Sequence, residues 1–105
     1  MAAPEAKVKA KVKLILKSHN AYYAMPQSGG FASSGIPDFL VCFRGKFFGI
    51  ECKAGRGKLT ELQKKNLTSI QDAGGHAFVI REDNINLLEI FLNENSGTAV
   101  PVVQA

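Results

Sequence analysis

A chain of 105 residues with 46% hydrophobic and 21% charged residues has the size and composition of one folded domain, spanning 1–105, and not those of a disordered segment. No apolar run approaches the about 20 residues a membrane helix needs. Met-Ala-Ala-Pro-Glu has no basic stretch leading into an apolar core, so a cytoplasmic protein without a signal peptide or a membrane partner is expected. The net charge of +4 is unevenly placed, because residues 1–65 carry twelve Lys and Arg against four acids while 66–105 carry only Arg81 against five. Such a basic half suits a polyanionic partner.

Pro4-Glu5 opens a helix expected to run to Ser18, with Pro tolerated in the first turn and Glu favoured near the positive end of the dipole. At about 100° per residue, Val8, Val12, Ile15 and Leu16 form one stripe, and Glu5 falls on it too. A carboxylate there is either aimed at a site or sits on a frayed first turn. Lys7, Lys9, Lys11, Lys13 and Lys17 occupy the remaining circumference, where they stay hydrated or meet phosphates. Asn20 to Met25, with its two tyrosines, reads as a short strand. Gln27 to Gly35 is rich in Ser and Gly and forms a loop; Ser33 and Ser34 could donate to phosphate, or the segment is a plain connector.

Phe39–Phe43 and Lys46–Ile50 are β-rich runs meeting at Arg44-Gly45, the pattern of a hairpin. Three charges interrupt it: Asp38, Glu51 and Lys53. With a two-residue turn Asp38 faces Glu51, and counting by twos puts Asp38, Leu40, Cys42, Phe47, Gly49, Glu51 and Lys53 on one face. A four-residue loop preserves that pairing and a three-residue turn destroys it. Arg suits a left-handed position poorly, so the turn type stays open. Cys42 and Cys52, on opposite faces, are expected as buried free thiols; with His19 and His76 they lack zinc-ligand spacing.

Ala54 to Lys58 is a basic, Gly-containing loop in which Arg56 and Lys58 are candidate phosphate contacts. It has no Walker-type Gly-Lys-Ser, which excludes nucleotide-triphosphate binding. A second helix is expected from Leu59 to Ala73, ending at Gly74-Gly75. Leu59, Leu62, Leu67 and Ile70 form its inward stripe, shared by Gln63, whose amide needs partners in the site or the core. His76 to Ile80 reads as a buried strand, and Asp83 as the cap of a helix from Asn84 to Leu92. The tail 96–105 is either loose or laid along a partner subunit.

Two carboxylates on adjacent strands make a hard-oxygen site for Mg²⁺ or Mn²⁺, and Lys53 on the same face is placed to stabilise charge developing on a phosphate. Hydrolysis of a phosphodiester is the chemistry these groups fit; a buried structural salt bridge is the plainer alternative. Pro37-Asp38, twelve residues, then Glu51-Cys52-Lys53 resembles the signature of the PD-(D/E)xK nuclease superfamily. Ser34-Gly35-Ile36-Pro37-Asp38, Glu51-Cys52-Lys53-Ala54-Gly55 and Gln63 together resemble the virus-type replication-repair nuclease module (VRR-Nuc), a likeness covering about residues 5–93.

The resemblance implies an α/β fold with a restriction-endonuclease-like αβββαβ core, its mixed central sheet flanked by helices. It implies Asp38, Glu51 and the backbone carbonyl of Cys52 as metal ligands, Lys53 as the catalytic lysine, and Glu5 and Gln63 as helix-borne members of the site. It further implies a homodimer that cuts branched DNA such as Holliday junctions. A non-catalytic nucleic-acid-binding or assembly subunit with the same fold is the alternative.

Overall fold

Pro4 starts helix α1, Pro4–Ser18, and Val8, Val12 and Leu16 are its buried residues, the spacing set by 3.6 residues per turn. In the computed structural model, which describes residues 3–27 and 35–97, this helix is followed by β1 (Tyr22–Ala24), β2 (Phe39–Phe43), β3 (Lys46–Cys52), α2 (Glu61–Asp72), β4 (His76–Ile80) and α3 (Ile85–Glu94). The expected αβββαβ order is present, with α3 added at the end. No helix is long and apolar enough to cross a membrane.

The four strands form one sheet in the order β1-β2-β3-β4, antiparallel except for the parallel β3–β4 pair, so the sheet is mixed. The hairpin register is Phe43 opposite Lys46 and Phe39 opposite Ile50, which makes Arg44-Gly45 a two-residue turn. Both residues are left-handed, φ 52° at Arg44 and 81° at Gly45. That is the primed turn whose twist matches a right-handed strand pair. Arg44 bears the strain of an L-residue there while its guanidinium lies 5.8 Å from the centre of the Phe43 ring, a cation–π contact.

Alternation along β2 and β3 then sorts the side chains. Phe39, Val41, Phe43, Phe48, Ile50 and Cys52 face α1 and α3 and form the core with Val8, Val12, Leu16, Ile80, Leu88 and Leu92. The opposite face carries α2 over β3 and β4. Gly49 permits this approach, since a Cβ there would stand 2.6 Å from Ile70 Cδ1.

Several expectations need correction. Cys42 is exposed, because α2 covers only half of its face; Cys52 is buried, and both are free thiols. Strand β4 is buried only at Ile80, since it forms a sheet edge. Helix α2 begins two residues later than expected, at Glu61 with Thr60 as its N-cap, and of its anticipated stripe only Leu67 is fully buried while Leu62 is 49% exposed. Asn84, not Asp83, is the N-cap residue of α3; its Oδ1 accepts from the Arg81 N–H at 2.6 Å and its Nδ2 donates to the Val79 carbonyl at 2.9 Å. Most of the loop 27–35, with Ser33 and Ser34, and the tail from 98 onward lie outside the described residues.

Candidate active site

One step beyond the Phe39–Ile50 pair, the register sets Asp38 opposite Glu51 at the C-terminal end of β3. Asp38 is held at both oxygens: Oδ2 accepts from the Cys52 N–H at 2.8 Å, and Oδ1 lies 3.3 Å from the Lys9 ammonium. A strand residue points its N–H and C=O to the same edge, so the Cys52 carbonyl turns toward Asp38, while the next N–H, of Lys53, reaches the Ile80 carbonyl on β4 at 3.0 Å.

Glu51 is 3% exposed, the one buried charged residue of the described chain. Its Oε2 accepts from Gln63 Nε2 at 3.2 Å. That amide is doubly fixed, because Gln63 Oε1 accepts from the Thr60 N–H at 2.9 Å while the Gln63 N–H donates to Thr60 Oγ1 at 3.1 Å. The reciprocal capping box that starts α2 therefore also aims a donor at Glu51. Among the described residues no buried side-chain nitrogen or oxygen lacks a partner.

Burial and the adjacent Asp38 carboxylate push the Glu51 carboxyl up to about 8, with Lys53 opposing and Glu5 adding to the rise. Burial, then Asp38 and Glu51, push the Cys52 thiol up to about 12, so it stays protonated and is no nucleophile at neutral pH. For Lys9, burial favours the neutral amine, but the carboxylates of Asp38 and Glu5 outweigh it and hold the ammonium above its ordinary value.

The sequence-derived residues are thus distributed as follows. Asp38, Glu51, Lys53 and Gln63 converge at one end of the sheet, between the first turns of α1 and α2. Half-buried Glu5, in the first turn of α1, lies within electrostatic reach of Glu51 and Lys9. Lys7, Lys11, Arg56 and Lys58 are exposed, and Lys11 lies close enough to bear on Glu82, beside the loop that carries Arg56 and Lys58. Lys9 is the residue that reasoning from the sequence missed; its place one turn after Glu5 was the available signal.

Asp38 and Glu51 offer hard oxygens, and no three His, Cys, Asp or Glu side chains converge as a metal set among the described residues. A third protein ligand would come from a backbone carbonyl, as Cys52 is oriented to provide. The donor set fits a hard divalent ion, because a buried carboxyl beside a second carboxylate is stabilised in its charged form by such an ion. A cleft of about 620 Å³ lined by Lys46, Phe47, Ile70 and His76 lies at the other end of β3 and contains no acid.

This geometry can be set beside known proteins. A solved structure described as a VRR_NUC domain superposes with a TM-score of 0.72 at 23% identity, covering 85% of this chain and 97% of that one. The chain has the fold of a VRR_NUC domain. Archaeoglobus fulgidus Hjc, a Holliday junction resolvase from an archaeal hyperthermophile, superposes with a TM-score of 0.56 at 16% identity over 72% of this chain and 66% of its own. No family model and no curated protein matches. The α/β fold is therefore consistent with the restriction-endonuclease-like core expected from the motif, and the VRR-Nuc resemblance drawn from a few residues is borne out at the level of the whole fold.

Proposed function

We propose that this chain is a metal-dependent DNA endonuclease that hydrolyses phosphodiester bonds, acting on branched DNA such as four-way junctions as a homodimer. The observation that carries the reading is the Asp38–Glu51 pair, two carboxylates set opposite one another with Lys53 beside them and a fixed amide behind. The fold shared with a VRR_NUC domain and with a Holliday junction resolvase supports it.

Asp38, Glu51 and the Cys52 carbonyl would hold Mg²⁺ or Mn²⁺. Such an ion, when bound, supplies Lewis acidity at the phosphate and a water of lowered pKa. Lys53 presents its ammonium to charge developing on the phosphoryl oxygens. Gln63 and Lys9 hold Glu51 and Asp38 in place, and Glu5 adds negative charge that favours a cation. Lys7, Lys11, Ser33, Ser34, Arg56 and Lys58 are the proposed DNA contacts. An apolar row that crosses three strands in register, Tyr22, Cys42 and Phe47, with Tyr22 76% and Phe47 46% exposed, supports a second subunit covering that face.

Incubating the protein with labelled four-way junction and linear duplex, with and without Mg²⁺, tests the reading. Cleavage that requires both metal and Lys53 is expected. Absence of metal-dependent cutting on any DNA sinks it.

A further inference from the structure

The loop that follows Lys53 is held by a contact the proposed chemistry does not use. Gly55 is gripped on both sides of its backbone by two neighbouring residues from the end of β4. Its N–H donates to both carboxylate oxygens of Glu82, at 2.9 and 3.1 Å, and its carbonyl accepts from Arg81 Nη1 at 3.0 Å. The loop tightens further through the Gly57 N–H, which donates to the Ala54 carbonyl at 2.9 Å. The backbone bond from Lys53 to Ile80 precedes this clamp, so the two chain segments stay tied past the last strand pair, Cys52–Ile80, out to Gly55 and Glu82.

Charge makes the arrangement unexpected. Arg81 is the only Lys or Arg of residues 66–105, and it is directed at a backbone carbonyl. Glu82 is an exposed acid within reach of Lys11 and bonded to the loop that carries Arg56 and Lys58, where a phosphate-facing surface would be expected to exclude one. Both residues act on a single glycine. What the clamp fixes is the backbone at Gly55, one residue before Arg56 and three before Lys58, in the loop directly after the proposed catalytic lysine.

We propose that Arg81 and Glu82 are positioning residues for nucleic-acid binding, preorganising Arg56 and Lys58 against the phosphate backbone; the inference rests on the DNA-binding reading above. Ordering side chains before binding removes an entropic cost that otherwise falls on association.

The test turns on a sign. An acid that merely sits near bound DNA repels it, so Glu82→Ala would tighten binding. The clamp gives the opposite expectation: in duplex and junction binding followed by fluorescence anisotropy, with EDTA present, Glu82→Ala weakens affinity about three- to tenfold. Glu82→Gln, which keeps an acceptor for the Gly55 N–H and removes the charge, binds as well as the wild type or better. In an Arg56→Ala/Lys58→Ala background the Glu82→Ala penalty disappears, because the side chains it positions are gone. With cleavage followed as well, Arg81→Ala raises KM more than it lowers kcat. Tighter binding by Glu82→Ala, or an equal loss in the Arg56→Ala/Lys58→Ala background, overturns the proposal while leaving the nuclease reading intact. Failure of the wild type to bind any DNA overturns both.

Discussion

Replacing Glu51 with Gln gives the sharpest prediction about the site, since it exchanges a buried acid for a neutral side chain of nearly the same shape. The folded-state value for Glu51 is raised from 4.5 to about 8, chiefly by burial and then by Asp38. The native chain therefore holds a proton that the unfolded chain gives up within that interval, so it binds more protons than the unfolded chain. Stability is full below about 4.5 and falls as pH rises toward 8. At roughly 1.4 kcal/mol per unit the loss is on the order of 3 to 5 kcal/mol at most. Urea unfolding from pH 5 to 8.5 in EDTA should show this decline in the wild type and a much flatter profile in Glu51→Gln. Adding Mg²⁺ should restore wild-type stability at pH 8 and leave Glu51→Gln unchanged. A wild-type profile that is flat in EDTA, or a decline of equal size in Glu51→Gln, would refute the reasoning.

Other consequences follow from the same geometry. Lys53→Ala should abolish junction cleavage while DNA affinity measured by anisotropy changes less than about threefold, a single cation being a small part of the electrostatic footprint. Gln63→Ala removes the return bond of the capping box and the donor to Glu51 together, so urea unfolding should show a loss of about 1 to 3 kcal/mol. Because the donor to Glu51 is lost, cleavage should fall as well even where the fold is retained. Phe47→Glu or Tyr22→Glu should shift the proposed homodimer to monomer in light scattering while circular dichroism shows the fold retained, because both side chains are exposed in the isolated chain.

Much of this site was legible because a strand has a period of two. Counting alternate residues outward from a two-residue turn puts Asp38 opposite Glu51, and Phe39, Phe43 and Phe48 on the other face, as the register has it. The turn itself stayed open because Arg44 is a poor choice for a left-handed position, and the chain tolerates it there. Helical periodicity sets Gln63 on an inward stripe but does not by itself mark its capping partner, Thr60. The Thr60-x-x-Gln63 spacing is a capping box and would have placed the start of α2. Periodicity alone groups Lys9 with the hydrated lysines, although it lies one turn from Glu5.

Burial of β4 was not legible, since an apolar run does not say whether a strand is central or at an edge. That depends on strand order, which only the three-dimensional arrangement supplies. The grip of Arg81 and Glu82 on Gly55 joins residues 26 and 27 positions apart and has no periodic signature.

The proposed chemistry requires that Asp38 and Glu51 bind a divalent ion. A crystal grown near pH 8 and soaked in Mn²⁺ should show anomalous density between the two carboxylates and the Cys52 carbonyl, absent from an Asp38→Asn crystal treated in the same way. A fully occupied Mn²⁺ elsewhere, with Lys9 still paired to Asp38 and none at this pair, would contradict it.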